Sequence, residues 1–107
     1  MPRKKLTECS CPLSEAMASL GNKWKPIIVC VIANKSVRFG HLAAVISIIS
    51  RKVLTEQLKE LAADGIIIRE EFKELPPRVE YHLSEKGLEL LPIFRKLEAW
   101  EKKYQGN

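Results

Sequence analysis

The sequence has no run approaching the roughly 18 consecutive apolar residues of a membrane span, so no membrane partner is expected. It has three cysteines, an odd number, which argues against a secreted disulfide framework. No Gly-rich phosphate loop, no His-Glu-x-x-His and no nucleophile elbow occurs. Glu70, Glu71, Glu80 and Glu85 surround a hairpin region with no apolar pocket in evidence to raise a carboxyl pKa. Neither an enzyme nor a cofactor is therefore expected. Cys9-x-Cys11 with His41 and His82 falls short of any standard four-ligand zinc spacing, so no metal site is expected. The start, Met1-Pro2-Arg3-Lys4-Lys5, leads into Thr7-Glu8-Cys9-Ser10 rather than an apolar segment. A signal peptide is not expected, and the cytoplasm is the expected location. A chain of 107 residues holds one small domain, and a dimer would relieve the limited burial available at this size.

What is present is positive charge, unevenly spread. The net charge is +5. Through Thr55 there are nine Lys/Arg and two Asp/Glu, a net of +7; the remainder has nine and eleven, a net of −2. An anionic partner should meet mainly the first half, the alternative being a solvated basic face without a partner.

Cys11-Pro12 reads as a helix start, with Leu13, Met17 and Leu20 at helical spacing and Gly21-Asn22 as the stop. A second helix begins near Lys23 and places Trp24, Ile27, Ile28, Val31 and Ile32 on a core stripe, with Pro26 in its first turn and Cys30 packed one step off. Val37-Arg38-Phe39 is extended, and Gly40 to Ile46 is a short helix with Leu42 and Val45 or Ile46 inward. Ser50 caps the best-specified helix, in which Ile49 and Leu54 form a hydrophobic staple, Leu54, Leu58 and Leu61 are buried, and Asp64-Gly65 is the end. The period then changes to two. Ile66, Ile68 and Phe72 share one strand face opposite Arg69, Glu71 and Lys73. After Pro76-Pro77, Val79, Tyr81 and Leu83 alternate with Arg78, Glu80 and His82. Ser84 caps a last helix carrying Leu88, Leu91, Phe94, Leu97, Trp100 and Tyr104, which Pro92 should kink.

A short helix, a turn, a Ser-capped helix and a hairpin make a winged helix-turn-helix, an α+β, mainly helical fold that reads DNA with its second helix. With Leu54, Leu58 and Leu61 inward, Lys52, Thr55, Glu56 and Lys59 face outward and Arg51 lies on the flank. These residues, with Ser50 at the helix N-terminus, suit phosphates and base edges of a double-stranded DNA operator. Glu56 can accept from a cytosine amino group or pair with Lys52 or Lys59. Arg38 before the short helix and Lys73 on the wing are further phosphate candidates, and Arg78 after the diproline is read as a phosphate or minor-groove contact, the alternative being a tight turn with Arg78 salt-bridged to Glu74 or Glu80. Arg78→Ala is expected to weaken binding to all sequences alike. A winged-helix protein–protein module without DNA binding is the alternative.

Cys11-Pro12-Leu13, Gly21-Asn22-Lys23-Trp24-Lys25, Leu54-Thr55-x-x-Leu58, Leu61-x-x-Asp64-Gly65, Pro76-Pro77-Arg78-Val79-Glu80-Tyr81 and Leu91-Pro92 occur in order. Together they resemble the HxlR-type transcriptional regulators, relatives of the MarR-like winged helix proteins, over roughly Cys11 to Tyr104. Repression by occlusion is the default expectation for a small regulator without a polymerase-contact domain. The resemblance implies a bacterial-type homodimer on a near-palindromic operator, at the nucleoid when bound. It implies a basic arm over 1–10, a DNA-binding domain over 11–107, and dimerisation through the first helix and the 84–104 helix. Leu13, Met17, Phe94, Leu97, Trp100 and Tyr104 would line that interface. Gly40 stands where the family usually has a Ser helix cap, and Ser47-Ile48 where Pro-Gly is common. The resemblance also implies a thiol sensor at Cys11, with Cys9 or the partner's Cys30 as a second thiol, answering an oxidant or small-molecule effector. The positive helix N-terminus would favour the Cys11 thiolate.

Overall fold

The computed structural model describes residues 11–105. The arm over 1–10, and with it Cys9, lies outside the described residues. The elements run α1 (Pro12–Leu20), α2 (Trp24–Ile32), α3 (Phe39–Val45), α4 (Arg51–Ala63), β1 (Ile67–Phe72), β2 (Arg78–Leu83), α5 (Glu85–Leu88) and α6 (Leu90–Tyr104). The fold is the mainly helical winged helix-turn-helix, with α3 and α4 as the helix-turn-helix and β1–β2 as the wing.

Local chemistry explains most boundaries. Pro12 starts α1, where its missing N–H costs nothing. Gly21 ends it, because a Cβ there would lie 2.6 Å from the Met17 carbonyl oxygen. Ser50 Oγ accepts from the Val53 amide at 3.1 Å and caps α4. Gly65, at φ 73°, then turns the chain into the wing, a conformation that penalises any Cβ. Ser84 Oγ accepts from the Gly87 amide at 3.0 Å. The last helix breaks at Glu89, ahead of Pro92, which falls in the first turn of α6. The proline nitrogen cannot bond the Leu88 carbonyl, so the expected kink is displaced to that junction. The cap of α3 is Arg38 rather than Gly40, and its side chain makes no capping bond.

The core joins Ile28, Val29 and Ile32 of α2, Leu42 of α3, Leu54, Leu58 and Leu61 of α4, Ile67 and Leu83 of the wing base, and Phe94 of α6. Two faces differ from the periodicity reading. In α2 the buried residues are Lys25, Ile28, Val29 and Ile32, while Ile27 and Cys30 are exposed. This helix is apolar nearly all round, so spacing alone does not choose its inner face. In the wing, Ile67 is buried against the core and Ile68 is 44% exposed. Pairing Ile67 with Leu83 and Arg69 with Tyr81 sets the register. The three-isoleucine run leaves two registers equally apolar, and a one-residue slip exchanges the faces. Ile46, not Val45, is the inward residue closing α3.

Candidate nucleic-acid interface

The capped start of α4 carries the exposed cluster. Arg51, Lys52, Thr55, Glu56 and Lys59 are all solvent-facing on the side of α4 away from Leu54, Leu58 and Leu61. None of Lys52, Lys59, Arg38 and Lys73 shares an ion pair with a described residue, so all four cations are open to an anion. Glu56 joins neither Lys52 nor Lys59 in an ion pair. Thr55 Oγ1 donates to the Arg51 carbonyl at 2.8 Å, which leaves its oxygen as an acceptor and its methyl outward. The Arg51 guanidinium rests 5.6 Å from the centre of the Phe39 ring, bridging α3 and α4.

Arg78 is differently placed. Its two terminal nitrogens donate to Glu74 Oε2 at 2.9 Å and Glu80 Oε2 at 3.1 Å. The guanidinium also stacks 3.9 Å from the centre of the Phe72 ring. Two carboxylates enclose this one cation, so its charge is more than balanced where it sits. That takes Arg78 out of the set of open cations in which its sequence position had placed it, and makes it a brace across the wing tip. Its Nε is buried without a partner. Glu80 Oε1 in turn accepts from Ser36 Oγ at 2.8 Å. With the Val37–Tyr81 bridge, this ties the wing to the approach to α3.

Two grooves border the helix-turn-helix, one beside α4 and one at the start of α3. One of about 410 Å³, between α4 and the wing, is lined by Thr55, Lys59, Arg69 and Tyr81. Another, of about 490 Å³, is lined by Lys35, Arg38 and His41 with Glu80. Sequence reasoning missed Lys35 and Arg69 as candidates. Lys35 belongs to the +7 portion and could have been found there, whereas Arg69 reaches Lys59 only through the strand register.

The second surface is apolar. Helix α1 buries none of its residues in its own chain. Leu13 is 69% exposed, Met17 56%, Leu97 51%, Trp100 62% and Tyr104 68%. Between α1, α2 and α6 lies an open groove of about 550 Å³ touching Met17, Ile27, Cys30 and Leu97. Phe94, expected at a subunit interface, is 6% exposed and belongs to the core of its own chain.

Cys11 is the N-cap residue of α1. The backbone amides of Ser14 and then Leu13 at the helix start hold its thiol below the ordinary cysteine value, against opposing effects of desolvation and Glu15, although the side chain makes no capping hydrogen bond. At Cys30, partial burial and then Glu98 push the thiol up, with Arg95 opposing. Among the described residues no three His, Cys, Asp or Glu side chains converge as a metal site. No described helix is long and apolar enough to cross a membrane.

Comparison with known proteins agrees with this geometry. The HxlR-like helix-turn-helix family profile matches residues 19–107. An HTH-type transcriptional regulator of Halalkalibacterium halodurans is 41% identical over 97 residues, covering 90% of this chain and 86% of that protein. The reduced form of the transcriptional regulator YodB from Bacillus subtilis superposes with a TM-score of 0.82 at 35% identity, covering 90% of this chain and 95% of that one. YodB is also known in diamide-treated and quinone-bound forms. The redox regulator HypR, in its reduced form, superposes with a TM-score of 0.83 at 34% identity, over 90% of this chain and 95% of that one.

Proposed function

The chain belongs to the HxlR-like helix-turn-helix family of transcriptional regulators, and from that premise we propose a homodimeric DNA-binding repressor that occludes a near-palindromic operator and responds to thiol chemistry at Cys11. The observation that carries the DNA reading is the Ser50-capped α4, whose exposed face holds Lys52 and Lys59 without an ion-pair partner among the described residues, and between them Thr55 with its hydroxyl bonded back to the Arg51 carbonyl. Lys52 and Lys59 neutralise phosphates or read guanine, Thr55 and Glu56 meet base edges, and Arg38 and Lys73 flank them on the backbone. Arg78 keeps the wing rigid rather than touching phosphate.

Dimerisation covers the apolar residues of α1 and α6 and sets two copies of α4 about one DNA turn apart. Supporting it is the exposure of Leu13, Met17, Leu97, Trp100 and Tyr104 together on these helices. Supporting the thiol reading are the lowered Cys11 pKa and the family's solved redox states, HypR reduced and oxidized and YodB treated with diamide or bound to quinone. The domain spans 11–107, and the protein works in the cytoplasm at the nucleoid.

One experiment addresses the whole reading: selection of bound duplexes from random-sequence DNA, with and without diamide. An enriched inverted repeat, lost or weakened with diamide in the parent and retained in Cys11→Ser, is expected. Enrichment of no sequence would overturn the DNA reading, and equal diamide response in Cys11→Ser would overturn the sensor.

A further inference from the structure

Two polar side chains interrupt the core-facing side of the reading helix and its neighbour. Gln57 of α4 is only 9% exposed, and Lys25 of α2 only 5%. Each is joined across the α2–α4 contact. Asn22 Nδ2 donates to Gln57 Oε1 at 2.9 Å. Lys25 Nζ lies 2.7 Å from Glu60 Oε1, on a carboxylate that keeps 55% exposure. The other end of Asn22 caps α2, its Oδ1 accepting from the Trp24 amide at 2.9 Å and the Lys25 amide at 3.0 Å. One asparagine thus binds both helices, and it follows directly on Gly21, where α1 closes.

Core stability does not require these groups. Well-packed apolar residues of similar shape usually serve a buried polar position as well or better. What the polar bonds add is direction. Gln57 and Glu60 are three residues apart and share one flank of α4. At about 100° per residue that flank lies between the Leu54/Leu58/Leu61 stripe and the Lys52/Glu56/Lys59 face. Leucines on the stripe tolerate some roll of the helix, because dispersion contacts are not directional. Two hydrogen-bonded links on the flank do not. A roll of about 20° moves side-chain tips some 5–6 Å from the axis by about 2 Å. That displacement breaks any hydrogen bond to a base edge.

We propose that Asn22–Gln57 and Lys25–Glu60 are positioning contacts for sequence reading: they fix the roll of α4 against the α1–α2 junction, and through it the alignment of Lys52, Thr55 and Lys59 with base edges. The proposal rests on the DNA reading above. None of the four clamp residues touches DNA.

The test compares two affinities of the full chain. One is for a duplex that the parent protein enriches from random sequence, and the other is for an unselected duplex of equal length. Gln57→Met removes the acceptor with little change of shape. Lys25→Met with Glu60→Gln removes the ion pair at constant net charge. Each is expected to keep the melting temperature at or above that of the parent, and to hold affinity for the unselected duplex within about twofold. Affinity for the selected duplex should fall by about five- to tenfold, the loss of roughly one directional bond's worth of alignment. Parallel loss on both duplexes means a merely structural role and overturns the proposal, as does parent-like affinity on both. If the parent enriches no sequence, it is the DNA reading that fails, and the proposal fails with it.

Discussion

The open and the enclosed cations of this protein should separate cleanly in the salt dependence of DNA binding. Lys52 is exposed at the start of α4 and has no ion-pair partner among the described residues. If it neutralises one phosphate per subunit, its removal lowers the slope of log K against log salt by about 0.9 per contact, hence about 1.8 in a dimer. Arg78 carries the same charge, but Glu74 and Glu80 lie 2.9 and 3.1 Å from its terminal nitrogens and only 25% of the side chain is exposed. To reach a phosphate it must leave both carboxylates and the Phe72 face, or bring two negative charges with it. Arg78→Ala is therefore expected to change the slope by less than about 0.5 per dimer, while loosening the wing. Fluorescence anisotropy of a labelled duplex between about 50 and 200 mM salt resolves the two cases, since several contacts together shift affinity by orders of magnitude over that range. A slope change for Arg78→Ala equal to that for Lys52→Ala would refute the argument that internal pairing removes Arg78 from the contact set.

Ser50→Ala removes the hydroxyl that accepts from the Val53 amide, and thermal unfolding should show a loss of about 1 kcal/mol. Gly87→Ala places a Cβ against the Ile66 backbone carbonyl at the wing–α5 junction, so it should destabilise by more than the cap change, about 2 kcal/mol or above, in urea unfolding. With the Cys11 thiol lowered and Cys30 raised, iodoacetamide should label Cys11 before Cys30, and as pH falls from 9 to 6 the labelling rate of Cys11 should begin to drop at a lower pH than that of a cysteine of ordinary pKa, about 8.5. Equal pH profiles for the two thiols, followed by mass spectrometry, would contradict the assigned surroundings. Met17→Glu or Trp100→Glu should turn a dimer into a folded monomer in sedimentation, because both residues are more than half exposed on the isolated chain.

The sequence by itself determined the order of the main elements and most of their boundaries, though not the start of α3 at Phe39 or the division of the last helix at Glu89. Pro12, Ser50, Gly65 and Ser84 act through bonds and steric conflicts within a few residues, so their effect is written locally. It also determined which side of α4 is open, since charged residues at helical spacing against Leu54, Leu58 and Leu61 admit one orientation. Tertiary structure alone decided the inner face of α2 and the register of the wing. An almost wholly apolar helix and the run Ile66-Ile67-Ile68 carry no periodic signal, and only packing against neighbours selects Val29 over Ile27 and Ile67 over Ile68. The same holds for charge. Arg78 and Lys52 are equally cationic in the sequence, but the hairpin folds two carboxylates around one and leaves the other open. Gln57 and Lys25 are polar and carry no signal of burial in the sequence, and the meeting of α2 and α4 buries them beside partners 35 positions away in each case. Local chemistry sets the elements, and long-range contact decides which of their side chains remain free to act.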